Sequence, residues 1–421
     1  MNLFSKTFVK PFATALGLVL AASVSAESVL IKGADVYTAQ KLLPATDVFV
    51  NNGRIEALGS NLTYKADRTI DGRGKSITAG LFNSETQLGV VEVAAIEQTV
   101  DSMTTRTDIT AAFKVADAFN PNSTLLPHNR AHGLTHALVM PRAATGLFAG
   151  QVALVQLGNT PRVVHESVAV AVDFSEHGVE LAGGSRASAL ALLRQAFADV
   201  QDYSANKAAA LAGDRRTYSI SLMDAEALVP VLKGEQPLIV KVQRAADIRA
   251  ILKLAKAYKL KLILSGVEEG WMVAADIASA KVPVIIDPIN NLPSGYESLG
   301  SRLDNVVMLH KAGITLMFTG MSWHNTHSAY LVRQSAGNAV ANGLDKHVAI
   351  AAMTANPARI FNAPVAGDVI QGGPADLVLW SGDPLEVTSE PELVMAAGKV
   401  APMVTRATML RDRYFERLSA K

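Results

Sequence analysis

The side chains that could do chemistry are few and scattered. Nine histidines are present and no cysteine, so disulfides and thiol catalysis are excluded. His324 and His327 stand three apart in Trp323-His324-Asn325-Thr326-His327. That spacing puts two imidazoles on one helical turn, where they could hold a divalent metal; a polar loop is the plainer reading of the same residues. His128, His132 and His136 recur every four residues but lead into the apolar run Ala137-Leu138-Val139-Met140. A shared helical face is therefore not expected of them, and surface or loop roles are. His310, before Lys311-Ala312-Gly313, has the place of a cation at a helix C-terminus. Ser265 ends the apolar run Leu262-Ile263-Leu264, but no Gly-x-Ser-x-Gly elbow surrounds it. Glu268 and Glu269 follow in the next loop and could bind a cationic ligand. Arg244 and Arg186 could fork onto a substrate carboxylate, and Arg186 is equally placed to open a helix.

The elements that must position these groups change character along the chain. The length is 421 residues, 49% of them hydrophobic, enough for one large domain and a smaller one. Thirty-nine Lys+Arg balance 38 Asp+Glu, a net of +1, so nothing draws the chain to nucleic acid. Lys6 and Lys10 precede an apolar run from Phe12 to Val24, and Val24-Ser25-Ala26 offers small residues to a signal peptidase. The run is shorter than the ~20 apolar residues of a membrane span. Residues 1–26 are therefore expected to be a cleaved secretory signal, with no span in the mature chain; in a Gram-negative source the destination is the periplasm. From 28 to 82 short β-type runs surround turns, among them Asp47 to Val50 and Ile55 to Gly59 around Asn51-Asn52-Gly53-Arg54, a hairpin signal. From about 125 to 360 apolar runs such as Leu238-Ile239-Val240 and Ile314 to Phe318 alternate with amphipathic stretches such as Ala245 to Tyr258. After about 365 short strands return, as in Ala375 to Trp380. Alternation of this kind implies a parallel sheet with right-handed crossovers. A TIM-like (β/α)₈ barrel is the leading closed form and a doubly wound sheet the runner-up, without a Gly-rich phosphate loop to support it. The expected α/β architecture is a barrel at 83–364, inserted into a β-sandwich made of 27–82 and 365–421. The polar stretch 101–123 is expected as a loop and helix over the barrel mouth.

Asp71-Gly72-Arg73-Gly74, Gly133-Leu134-Thr135 and Thr354-Ala355-Asn356-Pro357, in that order, resemble motifs of metal-dependent amidohydrolases, and within them the imidazolonepropionase-like branch. Asp71-Gly72-Arg73-Gly74-Lys75-Ser76-Ile77-Thr78-Ala79-Gly80-Leu81 resembles the segment that enters the barrel, and Gly133-Leu134-Thr135 the turn before a strand. Ala341-Asn342-Gly343-Leu344 and Thr354-Ala355-Asn356-Pro357-Ala358-Arg359 are similar to the last barrel helix. Gly382-Asp383-Pro384 and Ala397-Gly398-Lys399 are similar to the closing sandwich strands. The likeness spans about 28 to 400. In such proteins a His-x-His pair on the first barrel strand seats a divalent cation that activates water for attack on a C–N bond.

At the positions matching those ligands this chain carries other groups. Glu85 and Gln87 stand where the His-x-His pair is expected, Lys241 and Ser265 replace the fifth- and sixth-strand histidines, and Gly320 replaces the eighth-strand aspartate. A carboxylate, an amide, a hydroxyl and an ammonium are a poor seat for zinc, and the ammonium repels it. Glu85 and Lys241 are expected to form a salt bridge in the space the metal left. A carboxylated bridging lysine is not expected at 241, since in two-metal members that lysine lies on the fourth strand. The resemblance thus implies a degenerate amidohydrolase without a cofactor. Such a chain would bind a small molecule in the old pocket through Arg244, Glu268, His324 or His327, self-associate, or pair with an active paralogue. The alternative is an active hydrolase of C–N bonds with an altered zinc site.

Overall fold

Asn52 and Gly53 both take positive φ, 48° and 74°, the backbone a tight hairpin turn requires. They join β2 (Leu42–Asn51) to β3 (Arg54–Gly59), where the sequence placed a hairpin. The computed structural model describes residues 27–290, 292–293, 295–320, 325–365 and 367–419; the expected signal segment and His324 lie outside them. β1 (Val29–Tyr37), β4 (Arg68–Asp71) and β5 (Ser76–Ala79) complete the N-terminal part of the first sheet. The barrel strands follow: β6 (Leu81–Thr86), β7 (Leu134–Val139), β8 (Phe148–Gln156), β9 (Arg162–Asp173), β10 (Leu238–Val242), β11 (Leu262–Gly266), β12 (Val284–Ile286) and β13 (Leu316–Phe318). The chain then returns with β14 (Leu377–Trp380), β15 (Pro391–Ala396) and β16 (Lys399–Val400).

Both termini build the first sheet, in the order β16-β15-β14-β5-β1-β2-β3 with β4 on β1. Its closing step pairs β14 antiparallel to β5, Leu377 opposite Ala79. Alternate residues of these strands, including Ile31, Val50, Ile77, Leu379 and Met395, form its own apolar core.

The second sheet runs in chain order from β6 to β13 and nearly closes on itself. Its interior is a dry plug: Phe82, Leu138, Leu154, Ala171, Ile239, Ile263, Ile285 and Met317 meet there. The other faces of the same strands pack against helices such as Arg186–Ala205, Ala245–Tyr258 and Val332–Ala341. This double burial explains the uninterrupted apolar runs in the sequence. One strand departs from the all-parallel plan. β8 pairs antiparallel with both β7 and β9, so β7-β8-β9 is a meander with no helical crossover. The 101–123 stretch packs along β8, where the Gln151 N–H donates to the Phe113 carbonyl at 2.7 Å. Its regular structure is one 3-10 turn, Val115–Ala118, rather than the expected helix.

The two sheets are locked together at Trp380, which is fully buried. Its indole N–H donates to Thr78 Oγ1 at 2.9 Å, and the Arg333 guanidinium lies 4.8 Å from the ring centroid. Thr135 Oγ1 donates to Asp376 Oδ1 at 2.5 Å directly over Gly80, where a Cβ would come within 2.2 Å of both. Among the described residues no helix is long and apolar enough to cross a membrane. Replacing Trp380 by Ala should destabilise the fold by about 3–5 kcal/mol, the usual cost of emptying a buried aromatic site, measured by equilibrium denaturation.

Candidate functional site

The barrel's apolar plug dictates where polar groups can go. Each inward-facing plug residue is followed two positions later by a residue facing the same way. Ala171 leads to Asp173, Ile239 to Lys241 and Ile263 to Ser265. The ladder sets Asp173, Lys241 and Ser265 side by side at the C-terminal ends of β9, β10 and β11, the face where barrel enzymes place their sites. Phe82 would by the same rule send Ser84 inward. β6 instead holds a bulge: Asn83 pairs with Ala137 and Thr86 with Val139, three steps against two. The extra residue reverses the alternation, so Glu85 turns into the mouth and Thr86 turns out, its hydroxyl donating to the Leu138 carbonyl at 2.7 Å.

Glu85 is held on several sides. Its Oε2 accepts from Ser265 Oγ at 2.9 Å, its N–H donates to Asn83 Oδ1 at 3.1 Å, and its carbonyl accepts from Thr319 Oγ1 at 3.0 Å. Asn83 in turn donates to the Ala329 carbonyl at 2.8 Å, which fastens the seam where the barrel closes. Glu85 and Lys241 do not form the expected contact ion pair. The carboxylate is taken by Ser265, and its influence on Lys241 acts across space. Lys241 is exposed to water, between Asp173 and Ser265 on the neighbouring strands. The negative charge of Glu85 holds its ammonium above the ordinary lysine range, against the opposing effect of burial, with Asp173 and Glu297 helping and Arg142 opposing. A Ser–Lys dyad needs a neutral amine as base, so Ser265 and Lys241 are not poised as one.

Glu268 sits beside this group, in the loop after β11. It accepts from Ser301 Oγ at 2.9 Å and from the Asn290 amide. Burial pushes its carboxyl up to about 7; Ser301 counteracts, Glu297 and Asp287 raise it further, and Lys241 lowers it. Burial also pushes Glu297 up. A carboxyl titrating near neutrality can both accept and donate a proton at working pH.

The remaining candidates serve the scaffold. Gln87 Oε1 receives a long hydrogen bond, 3.5 Å, from Thr326 Oγ1. Gly320 does not join the group: a Cβ there would meet Ser335 Oγ at 2.6 Å and Val332 Cα at 2.8 Å, so the position looks toward helix Val332–Ala341. Arg244 and Arg186 both turn to Asp247, at 3.8 and 2.6 Å, at the start of helix Ala245–Tyr258. Glu269 accepts from the Ala245 N–H at 2.9 Å and caps that helix. His327 Nε2 is hydrogen-bonded with the Glu92 carbonyl at 3.1 Å, away from Glu85. His128 and His132 correct the sequence reading: helix Leu125–Ala131 and its C-cap bring their rings to 4.6 Å, with Tyr330 stacked 4.2 Å from His132. His136 is buried in β7 and bonded with Thr135 at 3.0 Å. Asp173, Glu297 and Arg142 were missed. Asp173 had a signal, a charge ending the apolar run Ala169–Val172; Glu297, on the 3-10 turn Tyr296–Ser298, and Arg142, in a loop, had none. Among the described residues no group of three or more His, Asp or Glu is arranged to hold a metal ion.

Solved structures place this architecture. An amidohydrolase from Thermotoga maritima MSB8 is 22% identical, with 90% of this chain and all of that one covered, at a TM-score of 0.78. A prolidase complexed with N-methylphosphonate-L-proline is 14% identical over 90% of this chain and all of that one, at 0.53. A β-aspartyl dipeptidase from Fervidobacterium islandicum AW-1, in complex with a β-Asp-Leu dipeptide, is 12% identical over 90% and 98%, at 0.53. No family model and no curated protein matches the chain. The chain is therefore built on the amidohydrolase fold.

Two outcomes are expected from the charges. Glu85→Gln should lower the Lys241 pKa, seen as faster modification of Lys241 by an amine-selective acylating reagent at fixed pH. For Glu268 the folded-state pKa is raised, so the folded state holds its proton longer than the unfolded one. Stability contributed by the neutral carboxyl is present below about 4.5 and declines as pH rises toward about 7. Glu268→Gln should flatten the pH dependence of the denaturation midpoint in that window; an unchanged slope would contradict the assignment.

Proposed function

We propose that this chain is a degenerate member of the amidohydrolase superfamily. In this reading it works without the catalytic metal, as a ligand-binding protein or as the partner of an active relative, after export to the periplasm. The observation that carries the reading is the make-up of the barrel's C-terminal strand ends, where Lys241 stands beside Ser265 and Ser265 is hydrogen-bonded to Glu85. A divalent cation needs three or four neutral-nitrogen, thiolate or carboxylate donors at ~2.0–2.3 Å. Of the positions matching the family's ligands, Glu85 is the one with a carboxylate, and the Ser265 hydroxyl donates to it. Gln87 supplies only an amide, and Gly320 has no room for a side chain. The residues present do not fit zinc, and a fixed positive charge beside the carboxylate opposes any divalent ion. Export rests on the lysines and apolar run of residues 1–26.

Charged and polar groups of both signs above an apolar floor support the ligand-binding reading. The test is metal analysis of the purified protein together with turnover of N-acyl amino acids and dipeptides, a panel suited to C–N hydrolysis. Substoichiometric zinc and no turnover are expected. Stoichiometric zinc with turnover that chelation abolishes would overturn the proposal in favour of an active C–N hydrolase with an altered metal site.

A further inference from the structure

The last described helix, Arg406–Ser419, buries none of its residues. It is anchored at its start. Ala401 and Thr405 are buried there, and Met403 packs on the main core. Thr405 and Thr408 cap the helix reciprocally: the Thr405 N–H donates to Thr408 Oγ1 at 2.9 Å and the Thr408 N–H to Thr405 Oγ1 at 3.2 Å. From Arg406 to Ser419 the 14-residue helix buries no side chain in a core. Helices of that length are marginal in water without a packed face.

The spacing shows what could complete it. Ala407, Leu410, Tyr414 and Leu418 recur at three- and four-residue steps, with Phe415 beside Leu418, so they share one face. Tyr414, Phe415 and Leu418 are 56%, 69% and 73% exposed, large values for apolar side chains. Asp412 and Glu416, four apart, lie on the opposite face. Arg406, Arg413 and Arg417 line one border of the apolar strip, and Arg411, four residues before Phe415, stands within it between Leu418 and Phe415. Arg411 is engaged by Asp412 at 2.7 Å and Arg417 by the Tyr414 ring at 5.7 Å; Arg406 and Arg413 have no acidic partner among the described residues. A second copy presenting the same face by two-fold symmetry would bring arginine borders together. A surface both apolar and negatively charged accepts the strip and the arginines at once.

We propose that this helix attaches the protein to an anionic phospholipid surface. It lies in the plane of the interface, its apolar strip in the headgroup–acyl boundary and its arginines reaching to phosphates. The proposal is independent of what the barrel binds.

The test uses the full-length protein in flotation with vesicles of phosphatidylglycerol and phosphatidylcholine, and with phosphatidylcholine alone. Recovery on the anionic vesicles should be higher by roughly tenfold or more and should fall as salt is raised. Phe415→Asp with Leu418→Asp should abolish flotation and leave the melting temperature unchanged, since neither side chain is buried. Arg406→Glu with Arg413→Glu should remove the preference for anionic vesicles. Equal recovery on both vesicle types would overturn the proposal, as would undiminished flotation of the Phe415/Leu418 variant. So would a concentration-dependent dimer without lipid that this variant disrupts, which would assign the strip to a second copy.

Discussion

The barrel mouth depends on one extra residue in β6. Without the bulge between Asn83 and Thr86, Glu85 would face the outer layer, among valines and leucines that pack the helices. A carboxylate there would have no partner and would cost several kcal/mol or take up a proton. With the bulge it faces Ser265 and Lys241, and the strand still closes the barrel through Asn83 and Thr319. The dry plug beneath the group keeps water to one side. The charge of Glu85 raises the Lys241 pKa from across the mouth, without a contact ion pair.

Much of the fold was legible because the plug and the helix layer bury both faces of the barrel strands. Leu238–Val240, Leu262–Leu264, Val284–Ile286 and Leu316–Phe318 stand out as apolar runs for that reason, and all are strands. The same property hid the reversal of β8. Phe148–Gln156 is buried along its whole length, and direction leaves no mark on such a run. The grouping of Glu85, Lys241 and Ser265 was visible through family motifs, and Glu268 through its place in the loop after Ser265. Their physical relation was not, because a bulge and a serine hydroxyl decide it. Glu297 reaches the mouth from a three-residue 3-10 turn and Arg142 from a loop, too short or too irregular for any periodicity to mark them. The pairing of His128 with His132 was hidden because helix Leu125–Ala131 ends only three residues before β7 begins.

Several charged residues that could have met a ligand instead secure the loops around the mouth. Glu269 caps one helix, Arg186 and Arg244 brace Asp247 in the same helix, and Asn305 ties the loop by donating to the Val267 and Glu268 carbonyls at 3.0 and 3.2 Å. The loop after β11 is thereby stiff, and Glu268 is presented from a fixed backbone.

The pairing of β5 with β14 also bears on the order in which the chain is made. Ala79 emerges from the ribosome early, and Leu377 follows roughly 300 residues later, about 15 to 60 seconds at ordinary rates of synthesis. Through that interval β5 offers a fully buried-type strand with one edge unmatched, and such edges invite pairing with other chains. A holding factor, or a means of keeping the nascent chain extended, would therefore matter more for this protein than for one whose terminal strands are completed locally.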